Sequence, residues 1–426
     1  QNKGVVVFGV QLMLQQLHEH FNSNFFKVKE REKFELFNPT GFEEALAEQG
    51  LRELRNSTLQ PIKQELDMYL GIDYDISHFE SLWDLGYLPI EVRALDEGTL
   101  CPIGVPMMTI TNTHPDFAWL VNYLETLISC MLWQPVTSAT IAYEYKKILN
   151  KYALETTGHT QDVQWQGHDF SMRGISSVES EVDTFRRLMK LYPEGILSVV
   201  SDTWNLWDVL TKYLPELKEE ILARDGKLVI RPDSGDPVDI ICGTGLEYIE
   251  TGKDWSEFEK ERNESRGVIE ILWDTFGGTI NEQGYKVLDS HIGAIYGDSI
   301  TRERAIAICE RLKAKGFAST NVVFGIGSFT YQYNTRDTFG FAMKATYGEI
   351  IHKVSGRTLG EKTFVEAREI FKDPITDDGT KKSKKGLLRV GNREGIPYCK
   401  DQQNWDQESK GLLTTVFKDG ELVRET

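Results

Sequence analysis

The segment KLVIRPDSGDP, residues 227–237, contains the pattern that decides the fold. Its apolar run LVI is typical of a buried β-strand, and the run stops abruptly at Arg231. Asp236 followed by Pro237 is typical of a helix start, because Asp caps the first turn and Pro is accepted within that turn. The segment therefore predicts a strand, a short polar loop and a helix in succession.

The same change from apolar to polar residues recurs in the central part of the chain. Short β-branched runs end in polar or glycine residues in LSVVSD (197–202), GAIYGDS (293–299) and NVVFGIGS (321–328). Helical patterns lie between these runs, as in residues 301–316, which have an apolar stripe and outward basic residues. A strand followed by a helix, repeated several times, is typical of a parallel sheet or barrel. We therefore predict an α/β fold for this part.

The first part of the chain indicates helices and a half-exposed sheet. Residues 5–21 fit a helix whose start is ambiguous with a strand, and residues 41–71 fit a second helix. Two alternating runs, at 90–95 and 107–113, fit neighbouring strands. Two long helical patterns then follow within residues 115–156, separated by Gln134-Pro135.

After residue 345 the regular pattern dissolves. Residues 372–386 have the turn residues and charge of an exposed loop, and Asp419-Gly420 between two alternating runs predicts a β-hairpin. Because both ends of the chain look sheet-like around a βα centre, we predict that they build one α+β domain.

Composition and charge narrow the class of protein. The chain has 426 residues, of which 40% are hydrophobic, and a formal net charge of −17. Such a charge repels DNA, RNA and anionic lipid, so we expect no nucleic-acid partner. No apolar run is long enough to predict a membrane span. The five cysteines form no CxxC pair, which argues against a disulfide framework or a thiolate zinc site and favours a cytoplasmic location.

Polar residues at the ends of the predicted strands are the first candidates for a functional site. Asp202, Arg231 with Asp233, Asp298 and the turn GIGS each follow an apolar run. Because parallel strands of a βα fold end on one face, we expect these residues to meet there. Each acidic residue taken singly also fits a helix N-cap. Their repeated occurrence at strand ends favours a shared site.

A second group of residues indicates anion binding. Gly327 and Ser328 in the GIGS turn offer backbone N–H groups that a phosphate can approach closely. Arg336 and Lys344 would add positive charge, although each alone also fits a solvated helix face. The segment KKSKK, which begins at Lys381, fits either a solvated loop or a site for a polyphosphate partner.

The segment GHDFSMRG, residues 167–174, combines an aromatic and a cationic side chain. Phe170 fits ordinary core, but with Arg173 nearby it also fits a stacking platform for a flat heterocycle beside a cation. His168 fits a structural histidine better than a ligand. The eight histidines lack zinc-site spacing, so no protein-held metal centre is predicted.

Taken together, these segments resemble the type II phosphoribosyltransferases that act on nicotinamide or nicotinate. The resemblance covers roughly residues 80–426 and is carried by long motifs in order along the chain. They are GHDFSMRGISS, LSVVSDTW, LVIRPDSGDP, YGDS, VVFGIGS followed by TRD, and REIFKDPITDDGTKKSKKG. The resemblance implies an irregular βα barrel over residues 166–345, with the α+β domain formed by residues 1–165 and 346–426.

The resemblance also implies a pentosyltransferase of NAD biosynthesis. Nicotinamide would attack C1 of phosphoribosyl pyrophosphate and give nicotinamide mononucleotide and pyrophosphate. It further implies Mg²⁺ at the leaving group, ATP as a possible coupling substrate, and a homodimer whose subunits share active sites.

The same resemblance implies a role for each candidate residue. Asp233, Arg231 and Asp298 would form the reacting centre, the two aspartates at the ribose hydroxyls and the arginine near the ring and ribosyl phosphate. Phe170 would stack on the pyridine, with Asp202 at the ring amide. Gly297 would also belong to the substrate-binding residues. The phosphate and pyrophosphate would be held by Arg173, Gly327, Ser328, Arg336, Lys344 and Lys381.

Some family segments have no counterpart in this chain. After the ISS motif the family has a segment with an aspartate that favours nicotinamide and a histidine that is phosphorylated when ATP is coupled. Here ISSVES runs directly into EVDTFRRL, so this segment is absent between Ser180 and Glu181. The chain also begins with QNKG, without Met or a signal-peptide pattern. Either the natural protein is shorter at these two places, or disordered segments of it are missing from this sequence, and we expect the second. An unfamiliar stretch, residues 352–367, precedes the REIFKDP motif.

Two alternative functions remain open from the sequence. Within the same class, the chain could be a nicotinate phosphoribosyltransferase. In a different class, it could be a non-catalytic homologue that binds pyridine or nucleotide. A third interpretation, an unrelated barrel enzyme acting on a sugar phosphate, would require Phe170 to be ordinary core.

Overall fold

A computed structural model describes residues 4–34, 41–163, 165–166, 180–245, 255–297, 299–356, 360–373 and 382–424. The chain forms two compact units, one of Gln1–Ala139 with Thr335–Thr426 and one of Thr140–Asn334. We refer to them as the two-ended unit and the central unit. Four of the candidate site residues lie outside the described residues: Phe170, Arg173, Asp298 and Lys381.

Helices and strands follow one another along both units. The helices are α1 (Val10–His20), α2 (Val28–Arg31), α3 (Gly41–Leu70), α4 (Ser77–Leu85), α5 (Ala118–Thr157), α6 (Glu181–Leu191), α7 (Leu206–Asp208), α8 (Leu214–Glu216), α9 (Lys218–Leu222), α10 (Pro237–Cys242), α11 (Trp255–Phe276), α12 (Arg302–Ala314), α13 (Ser328–Tyr331) and α14 (Trp405–Ser409). Short π-helical turns occur at Phe21–Phe25 and Val209–Tyr213, and 3₁₀ turns at Glu32–Phe34, Pro115–Phe117, Ser319–Asn321 and Arg336–Thr338. Among the described helices, none is long and apolar enough to span a membrane.

The strands belong to one parallel sheet and several antiparallel ones. They are β1 (Gly4–Val6), β2 (Ile90–Ala94), β3 (Leu100–Pro102), β4 (Met108–Asn112), β5 (Trp165–Gln166), β6 (Glu194–Val200), β7 (Asp225–Arg231), β8 (Gly278–Ile280), β9 (Lys286–Leu288), β10 (Ile292–Tyr296), β11 (Val322–Gly325), β12 (Tyr347–Gly356), β13 (Gly360–Glu369), β14 (Leu387–Arg393), β15 (Ile396–Gln403), β16 (Thr414–Lys418) and β17 (Glu421–Leu422).

The central unit is built on a five-stranded parallel sheet with the order β5-β11-β10-β7-β6. The four runs that the sequence predicts as strands are its four longer members, so the predicted α/β class is confirmed. Within the described residues, no ladder joins the two edge strands, β5 and β6. Closure of this sheet into a barrel is an expectation from the family resemblance.

The parallel sheet is covered by helices, which explains its continuous apolar runs. Strands buried on both faces read as uninterrupted apolar segments. In β7, Leu228 and Ile230 on one face and Val229 on the other are all buried. The predicted stripe of α12 packs here, with Ile308 and Leu312 fully buried. Tyr145 from the second half of α5 joins the same core. The packed sheet is therefore a rigid support for the loops that follow its strands.

The two-ended unit has its own core and a four-stranded antiparallel sheet, β17-β16-β2-β4. The two strands predicted near residues 90 and 110 are confirmed as β2 and β4, and the structure pairs them, with Val92 opposite Ile110. The predicted hairpin at Asp419-Gly420 is also confirmed, because both residues have positive φ, 49° and 85°. A two-residue turn with positive φ at both positions matches the twist of the flanking strands.

One helix prediction near Pro135 is wrong. The sequence predicts two helices separated by Gln134-Pro135, whereas α5 runs through this proline as a single helix of 40 residues. Proline removes one intrahelical hydrogen bond, but apolar packing continues on both sides, with Leu132 and Val136 buried. The ring also lies against the backbone of Gly9, where an added Cβ would be 2.8 Å from Pro135 Cβ. Tertiary packing therefore offsets the local cost of the proline.

The region after residue 345 is more regular than its sequence predicts. Strands β12 and β13 form a ten-residue antiparallel ribbon in continuous register from Tyr347↔Glu369 to Gly356↔Gly360. Apolar side chains on both strands are partly exposed, 38% for Ile350 and 52% for Phe364. A ribbon without one buried face lacks the alternation by which strands are recognised, so the pattern of residues 352–367 did not predict it.

Candidate functional site at the strand ends

Arg231 is the last residue of β7 and lies at the carboxyl edge of the parallel sheet. Its backbone is fixed by Ser201 at the end of β6: Ser201 N–H donates to the Arg231 carbonyl at 3.0 Å, and Arg231 N–H donates to Ser201 Oγ at 3.4 Å. The residue is only 7% exposed. Its Nε donates to Asp233 Oδ1 at 3.3 Å. A buried guanidinium is thus held beside a carboxylate at the strand end, as predicted.

Asp202 reaches across to the loop after β7. Its Oδ2 accepts hydrogen bonds from Asp233 N–H at 2.8 Å, from Ser234 N–H at 2.7 Å and from the Ser234 hydroxyl at 2.6 Å. The alternative that Asp202 caps the next helix is wrong, because Asn205 caps α7 through Trp207 N–H. The structure therefore brings Asp202, Arg231 and Asp233 into one connected group.

The predicted helix start after this loop is confirmed. Asp236 Oδ1 accepts hydrogen bonds from Val238 N–H at 2.9 Å and Asp239 N–H at 3.3 Å, with Pro237 as the first residue of α10. Of the two aspartates in KLVIRPDSGDP, one therefore starts a helix, and Asp233 projects into the candidate site.

Gly297 follows β10 and lies directly against this group. A Cβ added to Gly297 would be 2.5 Å from Arg231 Nη2 and 2.6 Å from Arg231 Nε, and would also overlap Asp233 Oδ1. At the end of β11, a Cβ on Gly325 would be 2.8 Å from both Gly297 Cα and Gly297 O. The ends of three adjacent strands can approach this closely only because two of these positions carry no side chain.

The GIGS turn continues from Gly325 into α13. The Gly327 carbonyl accepts hydrogen bonds from Thr330 N–H at 2.9 Å and the Thr330 hydroxyl at 2.7 Å, so a helical turn begins here. The first N–H groups of a helical turn have no intrahelical acceptor and point outward. Gly327 and Ser328 lie at the start of this turn, and their role in holding a phosphate stays a prediction.

Two of the predicted cationic residues belong to the two-ended unit. Arg336 lies in an exposed 3₁₀ turn, and its Nη2 donates to Asp337 Oδ1 at 3.2 Å. Lys344 is exposed as well. Their part in a phosphate site remains a prediction, as do the roles of Phe170, Arg173, Asp298 and Lys381.

The structure adds polar residues that the sequence interpretation missed. Ser201 and Ser234 hold the backbone around Arg231 and Asp233 through the contacts given above. Tyr296, the last residue of β10, donates its hydroxyl to the Gly235 carbonyl at 2.9 Å while its ring is buried. Two sequence signals were available: Tyr296 places a hydroxyl group at the end of an apolar strand, and Ser234 is the serine in PDSG. Neither signal indicates which residue the side chain contacts.

The arrangement is suited to binding and polarising a ligand. A buried cation, a half-exposed carboxylate and outward N–H groups can hold hydroxyl and phosphate groups on a rigid sheet edge. Two thiols buried in the core of the central unit, Cys242 and Cys309, are poor nucleophiles because burial raises their pKa, that of Cys242 to about 12. Neither of these two thiols is therefore a candidate nucleophile.

Comparison with known proteins identifies the family of the chain. Residues 196–421 match the model of the nicotinate phosphoribosyltransferase (NAPRTase) family. A nicotinamide phosphoribosyltransferase of Acinetobacter baylyi is 43% identical over 421 residues, covering 84% of this chain and 79% of that protein. Proteins with the same name from Mycoplasma pneumoniae and Xanthomonas campestris are 37% identical (68% of this chain, 69% of that protein) and 29% identical (80% and 77%). The chain belongs to the nicotinate phosphoribosyltransferase family.

Proposed function

We propose that this chain transfers the phosphoribosyl group of phosphoribosyl pyrophosphate to nicotinamide and thereby serves NAD salvage. The observation that carries the proposal is buried Arg231 paired with partly exposed Asp233 at the carboxyl edge of a parallel sheet, packed on Gly297. The names of the relatives support nicotinamide as the pyridine, since 43% identity extends over most of the chain.

The reaction replaces one bond at C1 of the ribose. The pyridine nitrogen donates its electron pair to C1, the bond from C1 to the pyrophosphate oxygen breaks, and pyrophosphate leaves with that electron pair. The ring nitrogen becomes cationic, which balances the charge carried away. Positive charge develops on the ribose in the transition state, so correct positioning and nearby carboxylates contribute more than an added nucleophile.

The carboxylates would act on the ribose side. Asp233, held 3.3 Å from Arg231 Nε, would accept hydrogen bonds from ribose hydroxyls and stabilise positive charge at C1. We propose Asp298 as the second acceptor. Arg231 lies beside this carboxylate and would face the ring and the ribosyl phosphate.

The phosphates would be held by N–H groups and cations. We propose the backbone N–H groups of Gly327 and Ser328 for the 5′-phosphate, at the start of a helical turn. Gly297 would let the ligand come close to the strand end. Arg173, Arg336, Lys344 and Lys381 would compensate the charge of the pyrophosphate, which a protein of net charge −17 otherwise repels.

The pyridine ring would be held by Phe170 and Asp202. We propose that Phe170 stacks on the ring and that Asp202 accepts a hydrogen bond from the ring amide. An amide N–H can donate to this carboxylate, whereas the carboxylate of nicotinate would be repelled by it. This contact would favour nicotinamide over nicotinate.

Mg²⁺ would enter the site with the substrate. The described residues contain no group of three or more His, Cys, Asp or Glu side chains arranged to hold a metal. Mg²⁺ usually keeps several waters and binds through one or two carboxylates and substrate phosphates, so the pyrophosphate and Asp233 suit it. When bound, it would neutralise charge on the leaving pyrophosphate.

Three further properties complete the proposal. We propose a homodimer with shared active sites, which light scattering would test, and ATP as a coupling substrate. A cytoplasmic location is also proposed, because all five cysteines are free thiols and fit a reducing compartment.

The experiment is an initial-rate assay with phosphoribosyl pyrophosphate and Mg²⁺, comparing nicotinamide with nicotinate and each with or without ATP. We expect nicotinamide mononucleotide and pyrophosphate in equal amounts. Turnover of nicotinate alone would leave the phosphoribosyl transfer in place and replace the pyridine substrate, an alternative that the matching family model supports. Binding of nicotinamide mononucleotide in calorimetry with no turnover of either pyridine would contradict enzymatic activity.

A further inference from the structure

The carboxylate of Asp202 is engaged on one side only. All three of its hydrogen bonds from the loop after β7 reach Oδ2, at 2.6 to 2.8 Å. In the part of the chain that the structure describes, no residue donates a hydrogen bond to Oδ1. One carboxylate oxygen, Oδ2, therefore holds the loop after β7 by itself.

The loop that Asp202 holds is the one that carries Asp233. Two backbone N–H groups, of Asp233 and Ser234, converge on one carboxylate oxygen located 31 and 32 residues earlier in the chain. Tyr296 secures the next residue of the loop through the Gly235 carbonyl. Asp233 itself remains partly open, with 32% of its side chain exposed. Its position thus depends on its backbone being fixed, because burial does not confine the side chain.

We infer that Asp202 is a positioning residue for the ribose side of the site, beyond the contact with the ring amide proposed above. Through Oδ2 it fixes the backbone of Asp233 so that this carboxylate stays beside Arg231. This inference rests on the proposed function, because it assigns Asp233 to the ribose. The Asp202 carboxylate then serves both the pyridine subsite and the phosphoribosyl subsite. Its loss weakens the binding of phosphoribosyl pyrophosphate, although Asp202 does not contact that substrate.

The physical reason is the strength and convergence of the three hydrogen bonds. A carboxylate accepting from N–H and O–H groups forms charge-assisted bonds, which are stronger than neutral ones. Without these bonds, the N–H groups of Asp233 and Ser234 form hydrogen bonds with water instead. The loop is then less ordered, and Asp233 samples positions away from Arg231. Ordering the loop again when substrate binds costs conformational entropy, which appears as weaker affinity.

The test measures binding of phosphoribosyl pyrophosphate with Mg²⁺ by calorimetry, without any pyridine present. We expect Asp202→Ala to bind about tenfold more weakly than wild type, equivalent to about 1.4 kcal/mol. Asp202→Asn should recover most of this affinity, because an amide oxygen can still accept from both N–H groups. Ser234→Ala removes one of the three bonds and should weaken binding about two- to threefold.

A matched control is Asp208→Ala, which removes the same charge in the same unit. Asp208 pairs with Lys212 at 2.7 Å and is not part of the proposed site, so affinity should stay at the wild-type value. Thermal unfolding of each variant shows whether it is folded. If Asp202→Ala does not fold, the Asp202→Asn and Ser234→Ala variants carry the same comparison.

The outcomes separate this inference from the proposed function. Wild-type protein that binds no phosphoribosyl pyrophosphate overturns both. Wild-type protein that binds it, with a folded Asp202→Ala variant of equal affinity, overturns the positioning role alone, even if the KM for nicotinamide rises. An equal loss of affinity in Asp202→Asn and Asp202→Ala also overturns the positioning role, because the Asn side chain still offers an oxygen that accepts the hydrogen bonds of the loop.

Discussion

The packing of Gly297 allows the candidate site to be tested by adding one methyl group. In Gly297→Ala the new Cβ would lie 2.5 Å from Arg231 Nη2 and 2.6 Å from Arg231 Nε, whereas ordinary contacts begin at 3.4 Å. The guanidinium must therefore move by roughly 0.9 Å, and the well-packed surroundings resist such a shift. Both Arg231 and Asp233 would leave their present positions.

The size of the effect follows from that displacement. Misplacing a reacting group by about 1 Å lowers the rate about 100-fold, so we expect kcat/KM to fall about 100-fold, or about 2.7 kcal/mol. Overpacking a rigid site also costs about 1–3 kcal/mol of stability. Initial rates over a range of both substrates, together with thermal unfolding, measure the two effects separately.

Gly293→Ala is the matched control on the same strand, β10. There the added Cβ would meet only side-chain atoms, Lys227 Cδ at 3.2 Å, Lys227 Cγ at 3.8 Å and Val229 Cγ2 at 3.9 Å, and a lysine chain can move aside. We expect less than about a threefold change in kcat/KM for this variant, within the range of a tolerated core substitution. If folded Gly297→Ala keeps activity within about fivefold of wild type, the assignment of Arg231 and Asp233 to the reacting centre is refuted.

The remaining predictions concern other parts of the site and the core. Arg231→Ala should lower kcat/KM more than Lys381→Ala, because Arg231 is buried at the end of a strand; equal losses in the assay would argue against its position at the reacting centre. Asp236→Ala should destabilise the protein by about 1 kcal/mol, since the cap of α10 is lost; an unchanged midpoint in urea unfolding would contradict this. Thiol alkylation followed by mass spectrometry should modify exposed Cys130 first, whereas Cys101, Cys242 and Cys309 should react only in denaturant because burial raises their pKa; rapid labelling of Cys242 in the native protein would contradict its burial.

Features encoded by neighbouring residues were predictable from the sequence alone. The apolar runs before Asp202, Arg231, Gly297 and Gly325 mark strands because a buried parallel strand needs apolar side chains on both faces. The Asp-Pro pair that starts α10 and the Asp-Gly turn between β16 and β17 depend on backbone preferences of the residues themselves. Parallel strands end at the same edge of a sheet, so the grouping of Asp202, Arg231 and Asp233 could also be predicted from the sequence.

Contacts between residues far apart in the chain were decided by the tertiary structure. Pro135 lies inside one continuous helix because its ring packs against Gly9, and the ribbon of β12 and β13 forms without an alternating pattern. The sequence gives no sign that Asp202 accepts its hydrogen bonds from Asp233 and Ser234, or that Gly297 must lack a side chain because Arg231 lies over it. Local preferences depend on a few adjacent residues, whereas these contacts depend on which surfaces the folded sheet brings within van der Waals distance.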